Sequence, residues 1–223
     1  DFVGFFNQMK AGATVTTSGL NFDTYYEIFE PYFEKGEDIL YIAFSSKMSN
    51  TFEPMQKAVD ELSAKYPSAS FRRFDTLNIS MGAGLMVYMA AKFFNENGGD
   101  VDKTYNYLES ILNNIGIYFV VDDLKYLARG GRLSPSKAAF GNLMQLKPIL
   151  RVGESGEIDV YSKQQGSKKA LKFMVDEFKK KYKNIDNAPI VIVGANNDKA
   201  VEEVKAQVEE FAPDAEIWTQ PVG

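Results

Sequence analysis

Short apolar runs alternate along this chain with longer stretches in which hydrophobic residues recur every three or four positions. Ile39–Phe44 is a strand candidate, and Thr51–Lys65 follows as a helix with Met55, Val59 and Leu62 on one face. Ser70–Phe74 reads as a second strand ending at Asp75-Thr76. Ser80–Asn95 reads as a helix, and Val101–Asn114 as another after the break Asn97-Gly98-Gly99. Strands separated by helices predict a parallel sheet with crossover helices, and such sheets bind ligands beyond the carboxyl ends of their strands.

A second unit begins near Ile117. Tyr118–Val121 reads as a strand, and Leu124–Ala128 as a short helix stopped by Gly130-Gly131; Ser136–Met144 is helical. Pro148–Arg151 and Ile158–Tyr161 flank Gly153-Glu154-Ser155-Gly156, a hairpin signal. A helix over Ser167–Lys183, a strand over Ile190–Val193, a helix over Lys199–Phe211 and a strand over Glu216–Thr219 complete the pattern. The reading is therefore an α/β protein of two packed α/β domains, residues 1–115 with a mostly parallel sheet and residues 116–223. No Pro-, Gly- or Ser-rich linker separates them, and there is no internal repeat.

Length and composition narrow the chemistry. The chain has 223 residues, enough for one large domain or two small ones, and carries a formal net charge of −5. An acidic balance argues against a nucleic-acid surface, which needs a basic face. The one basic run, Lys179-Lys180-Lys181-Tyr182-Lys183, falls at the end of a predicted helix, where cations suit the dipole. There is no cysteine and no histidine. Thiolate and imidazole nucleophile activation, zinc–thiolate sites and histidine acid–base work are thereby excluded within these residues. No apolar run approaches the roughly 18 residues that span a bilayer. The absence of cysteine fits a reducing cytoplasm, the expected location. The chain opens at Asp1 without methionine and without a signal-peptide pattern, so a trimmed piece is expected.

Three hydroxyl clusters stand out: Thr14 to Ser18, Ser45 to Thr51, and Thr76 to Ser80. The last two follow predicted strands and precede helices, where unpaired backbone N–H groups attract carboxylates and phosphates. Taken singly, each is equally an ordinary helix cap, with Ser49 or Asn50 and then Ser80 as the capping residues. Taken together they are more, because a parallel sheet places such junctions side by side. There is no GxxxxGK[ST], and Ser80-Met81-Gly82-Ala83-Gly84-Leu85 lacks the spacing of a dinucleotide fingerprint. Adjacent Asp122 and Asp123 point apart on any regular element and suit a solvated or capping role. In Ala128–Ser134 the pair Gly130-Gly131 permits a sharp turn between Arg129 and Arg132. These are either surface arginines at a helix end or a cation supplied to an anion. Met81, Leu85, Val87, Tyr88, Met89, Phe93 and Phe94, with Phe140, Leu143, Met144 and Leu146, suit a core or an adaptable lining for a flexible apolar ligand.

Five motifs in this order complete the picture: Thr16–Leu20 (TTSGL), Ser45–Phe52 (SSKMSNTF), Asp75–Gly84 (DTLNISMGAG), Tyr118–Ser134 (YFVVDDLKYLARGGRLS) and Leu143–Ile158 (LMQLKPILRVGESGEI). The chain resembles the DegV family, the bacterial fatty-acid-binding proteins that carry acyl groups for fatty acid kinase. That resemblance implies a two-domain α/β protein with one long-chain fatty acid in an apolar tunnel between the domains. It implies a carboxylate held by Thr17, Ser18, Ser49 and Thr51, with Asn50 and Ser80 beside them and Arg132 assisting. A separate ATP-binding kinase subunit would phosphorylate the carboxylate, so the chain itself is expected to be a carrier, with no catalytic residue, metal or cofactor of its own. Transient membrane contact is the other implied partnership.

The chain departs from the family pattern in places. The family usually reads TSQPS and SGT, where this chain has Thr17-Ser18-Gly19-Leu20-Asn21 and Ser49-Asn50-Thr51. Gln164–Ser167 lacks the family's arginine ahead of Lys168-Lys169-Ala170-Leu171, at the place implied to contact the kinase. The family's first strand and its last, histidine-bearing segment are absent, which again predicts a truncated piece. The alternative readings are a phosphotransferase-like α/β domain acting on a small polyol, which would need a nucleotide loop or a histidine, and a carrier of another amphipathic anion.

Overall fold

A computed structural model of the chain describes residues 2–134 and 146–222. These divide into two units: Ser18–Gly116 with Glu154–Glu157, and Asp1–Thr17 with Ile117–Gly153 and Ile158–Gly223. The chain's start groups with the later residues because α1 (Phe2–Lys10) is tied to α6 (Lys125–Arg129), the Tyr126 hydroxyl donating to Met9 O at 3.2 Å. The predicted helix Ser136–Met144, and with it Phe140, Leu143 and Met144, lies outside the described residues.

The first unit contains α2 (Phe22–Glu34), β1 (Asp38–Ala43), α3 (Phe52–Lys65), β2 (Ser70–Asp75), α4 (Ser80–Glu96), α5 (Val101–Ile111) and a 3-10 turn at Leu112–Asn114. Helix α2 has no counterpart in the sequence-based pattern, although its signals are present. Asn21 caps it, its side chain accepting from Thr24 N at 2.9 Å. Tyr25, Phe29 and Phe33 then recur every fourth residue and are buried. Their stripe meets Met55, Ala58, Val59 and Leu62 of α3 in one core, which the half-buried Tyr41 of β1 and Phe71 of β2 flank. The rings interlock at 5.3 Å between Phe29 and Phe71 and 5.6 Å between Phe29 and Tyr41. Strands β1 and β2 run parallel, as the alternation predicts.

On α4 the expected apolar stripe needs correction. The fully covered residues are Met86, Met89 and Ala90, while Val87 is 47% exposed and Met81, Leu85, Tyr88, Phe93 and Phe94 are half-buried. The helix is apolar nearly all round, so its sequence carries little information about which side faces inward.

The other unit holds a three-stranded antiparallel sheet in the order β3 (Tyr118–Val120), β4 (Leu146–Val152), β5 (Ile158–Gln165). Pro148 is tolerated in the middle strand because β3 pairs only with Ile149–Arg151, leaving Pro148 a neighbour on one side. Beside this sheet in sequence come α7 (Ser167–Lys181), β6 (Ile190–Gly194), α8 (Asp198–Phe211) and β7 (Ile217–Pro221), with β6 and β7 parallel. Val175 of α7, Ile190 and Ile192 of β6, and Val204 and Val208 of α8 share a core. The basic last turn of α7 is a partnered helix end. Lys180 pairs with Glu177, Lys181 donates to the Tyr118 hydroxyl at 2.7 Å, and Lys179 lies over the Phe211 ring.

Candidate functional site

Parallel pairing in register, Ala43 opposite Asp75, brings β1 and β2 to an end at the same level. The segment 44–51 that leads to α3 and the segment 76–79 that leads to α4 therefore emerge side by side. A buried polar clamp joins them. Ala43 O accepts from Thr76 N at 3.1 Å and from Thr76 Oγ1 at 2.8 Å, and Ser45 N donates to Asn78 O at 2.9 Å. Asp75 Oδ1 accepts from Ser46 N at 3.3 Å and from Leu77 N at 3.0 Å. Ser45 and Thr76 are completely buried and Asn78 nearly so. Part of the second and third hydroxyl clusters is thus internal scaffolding, satisfying backbone groups that neither strand nor helix can pair.

The remaining hydroxyls are not spent in this way. Ser49 Oγ donates to Thr51 Oγ1 at 3.3 Å, and both residues are half-buried. Thr51, not Ser49 or Asn50, stands at the N-cap of α3, with helical φ −72° and ψ −17°, and its side chain makes no capping bond. Helix geometry leaves the amides of Phe52 and Glu53 without intrahelical partners, and Pro54 has none to offer. The segment carrying Ser18 closes on the same place. A Cβ built on Gly19 would lie 2.8 Å from Thr51 Cγ2, so a side chain at position 19 would make the Thr51 side chain shift.

Ser80 is the first residue of α4, as the predicted helix over Ser80–Asn95 has it, and not its cap. Ile79 holds the N-cap position with extended φ −127° and an apolar side chain that cannot cap. The exposed Ser80 has φ +44° and Leu77 has φ +48°, two left-handed non-glycine residues in one short connection. Such conformations cost of order 1–3 kcal/mol each and persist where surrounding structure imposes them. The turn between β4 and β5 lies against Leu77 and against Ser45 of the other connection. Gly156, buried and at φ +82°, accepts from Ser45 Oγ at 2.8 Å. A Cβ at Gly156 would stand 2.5 Å from Ser45 Oγ and 3.1 Å from Leu77 Cδ2. The sequence shows Gly156 only as a turn glycine, and Ser45 only as one hydroxyl among many.

Ser18, Ser49, Asn50, Thr51 and Ser80 belong to the first unit, Thr17 and Arg132 to the other. Thr17 is exposed. Around Arg132 the chain closes α6: Gly131 adopts φ +73°, its N–H reaches Ala128 O at 3.0 Å, and Arg132 N reaches Leu127 O at 3.0 Å. The half-buried Arg132 donates through Nη1 to Gly130 O. Both acidic residues ahead of α6 have local tasks. Asp122 pairs with Lys147 at 2.8 Å, and Asp123 accepts from Lys125 N at 2.8 Å. Burial raises the Asp123 carboxyl, and its bonds to Lys125 outweigh that, leaving it below the ordinary range. Among the described residues no cluster of acidic groups could hold a metal ion.

Comparison with known proteins identifies the family. The DegV family model, described as an uncharacterised protein family, matches residues 1–223. A DegV domain-containing protein of Clostridium perfringens is 36% identical over 219 residues, covering 98% of this chain and 75% of the relative. A fatty acid binding DegV family protein from Streptococcus agalactiae superposes with a TM-score of 0.85 at 25% identity, over 100% of this chain and 77% of that one. The Streptococcus pneumoniae fatty acid kinase B3 protein, loaded with linoleic acid, gives a TM-score of 0.84 at 21% identity over 99% and 76%, a likeness of fold. With a family match along its whole length, the chain belongs to the DegV family.

Proposed function

We propose that this protein is a carrier for a long-chain fatty acid, whose carboxylate is received at the β1–α3 and β2–α4 junctions. The observation that carries the reading is the hydroxyl pair of Ser49 and Thr51, 3.3 Å apart at a helix start whose N-cap side chain makes no capping bond. A carboxylate placed there would accept from hydroxyls and from the free first-turn amides, an arrangement suited to anions. Ser18, Asn50 and Ser80 stand on the same two junctions and the segment folded onto them. Thr17 and Arg132 are assigned to the head group by resemblance. The half-buried Met81, Leu85 and Tyr88 of α4, one helical face running away from Ser80, suit an acyl tail.

The two ends of the ligand do different work. A tail of about sixteen carbons contributes on the order of 10 kcal/mol at roughly 0.8 kcal/mol per methylene, before ordering costs. A helix-terminus interaction with the carboxylate adds about 0.3–2 kcal/mol. The tail sets affinity and the hydroxyls set orientation, as a protein that presents its ligand requires. Presentation is to a separate ATP-binding kinase subunit, which phosphorylates the carboxylate; the likeness to a fatty acid kinase protein supports this step.

Native and denaturing mass spectrometry of the purified protein tests the ligand class. One long-chain fatty acid released per chain is the expected result. An empty protein that also takes up neither palmitate nor oleate, or one that releases a different amphiphile, would overturn the reading. For the head group, Ser49→Ala combined with Thr17→Ala is expected to lower acyl-phosphate formation with the kinase subunit and ATP while the tail still binds. Unchanged turnover would remove these hydroxyls from the site.

A further inference from the structure

We propose that the tip of the β4–β5 hairpin is a positioning element for the head-group hydroxyls, acting through Ser45 and Leu77. The inference rests on the reading that the carboxylate sits at the two strand–helix junctions. Neither Ser45 nor Gly156 is among the groups offered to the ligand. Ser45 is completely buried, and its Oγ donates to Gly156 O at 2.8 Å while accepting from Lys47 N at 3.3 Å. One hydroxyl therefore fixes both the hairpin tip and the start of the segment that runs to Ser49 and Thr51. On the other side the tip meets Leu77, with the Gly156 Cβ position 3.2 Å from Leu77 Cα and 3.1 Å from its Cδ2. Leu77 holds φ +48°, and three residues later Ser80 holds φ +44° at the start of α4. The tip thus touches the first residues of both hydroxyl-bearing connections and leaves their far ends, Ser49, Thr51 and Ser80, directed by where those first residues are held.

The contact is fitted closely enough to be disturbed by one methyl group. Alanine at position 156 would put a Cβ 2.5 Å from Ser45 Oγ, a separation that forces the tip or the junction to move. It would also impose a left-handed φ on a residue with a side chain. Ser45→Ala perturbs in the opposite sense, removing the bond without adding bulk.

The test compares binding of a fatty acid with binding of the fatty alcohol of equal chain length, by calorimetry, to wild type, Ser45→Ala and Gly156→Ala. The alcohol reports the tail site and the fold; the ratio of the two affinities reports the head-group hydroxyls. The wild type is expected to prefer the acid. Each folded variant is expected to lose about tenfold of that preference, the scale of one hydrogen bond to a charged group, with alcohol affinity unchanged. Ser45→Ala is the milder change and carries the test if Gly156→Ala does not fold. A folded variant that keeps the wild-type ratio, or that loses acid and alcohol equally, overturns the hairpin's role and leaves the head-group site standing. A wild type indifferent to the head group overturns the site itself.

Discussion

Thr76 illustrates how a single hydroxyl is committed at this junction. Its Oγ1 donates to Ala43 O at 2.8 Å and accepts from Asn78 N at 3.2 Å, in a residue with no exposed surface. Thr76→Val keeps the shape and removes both bonds. Ala43 O retains the Thr76 amide, whereas Asn78 N is left buried without a partner. An orphaned buried donor costs about 1–3 kcal/mol, so urea denaturation should show a loss of stability on that scale. A variant as stable as wild type would mean that water replaces the hydroxyl there. The same residue shows where the sequence stops being informative. Thr76 and Ser80 are alike as letters in one cluster, yet the first is sealed in the fold and the second exposed at the start of α4. Burial of a hydroxyl depends on what packs over it, and at Ser45 that is Gly156, 111 residues distant in sequence.

At the level of elements, the α2–α3 contact is the most directly testable. Phe33 and Tyr32 are neighbours on α2, the one fully buried in the shared core, the other 47% exposed. Phe33→Ala should cost about 3–5 kcal/mol through lost burial and the cavity left behind. Tyr32→Ala should stay within about 0.5 kcal/mol, the range of an ordinary surface change. Paired chemical denaturation curves decide it, and equal losses would place the α2 face wrongly. Most elements are legible in the sequence because period and punctuation agree, as at Thr51–Lys65, where Met55, Val59 and Leu62 mark one face and helix α3 forms over Phe52–Lys65. Helix α2 is less legible because its aromatic residues individually favour strands and Pro31 interrupts it, although their spacing is helical. The face of α4 is illegible for a different reason: apolar residues surround it, and only its packing against the rest of the unit selects Met86, Met89 and Ala90 for burial.

Across the whole chain, the absence of histidine sets the shape of stability against pH. No side chain with an ordinary pKa near neutrality is present, so the acid edge must come from carboxylates and the alkaline edge from lysines and tyrosines. Glu177 of α7 is the clearest carboxylate. The Lys180 ammonium beside it, and then the Tyr161 hydroxyl at 2.6 Å, hold its pKa below the ordinary 4.5. Glu30 is lowered in the same direction, first by Lys65, which pairs with it at 2.7 Å. A carboxyl whose folded pKa lies below its unfolded one contributes stability that is present above the unfolded value and lost as pH falls through the folded value. Lys180 and Lys181 lie on the other side, raised above the ordinary 10.5 by bonds to Glu177 and to the Tyr118 hydroxyl. Their contribution is complete below 10.5 and is lost as pH rises through the folded values. Thermal unfolding should therefore show a midpoint that is level between about pH 6 and 9 and falls below the ordinary carboxylate range. Glu177→Gln removes one of these groups and should make the acid fall shallower while lowering the plateau. A midpoint that instead slopes through neutrality would point to the terminal amine or to a bound molecule supplying a titrating group. Repeating the scan on protein stripped of lipid separates the two sources.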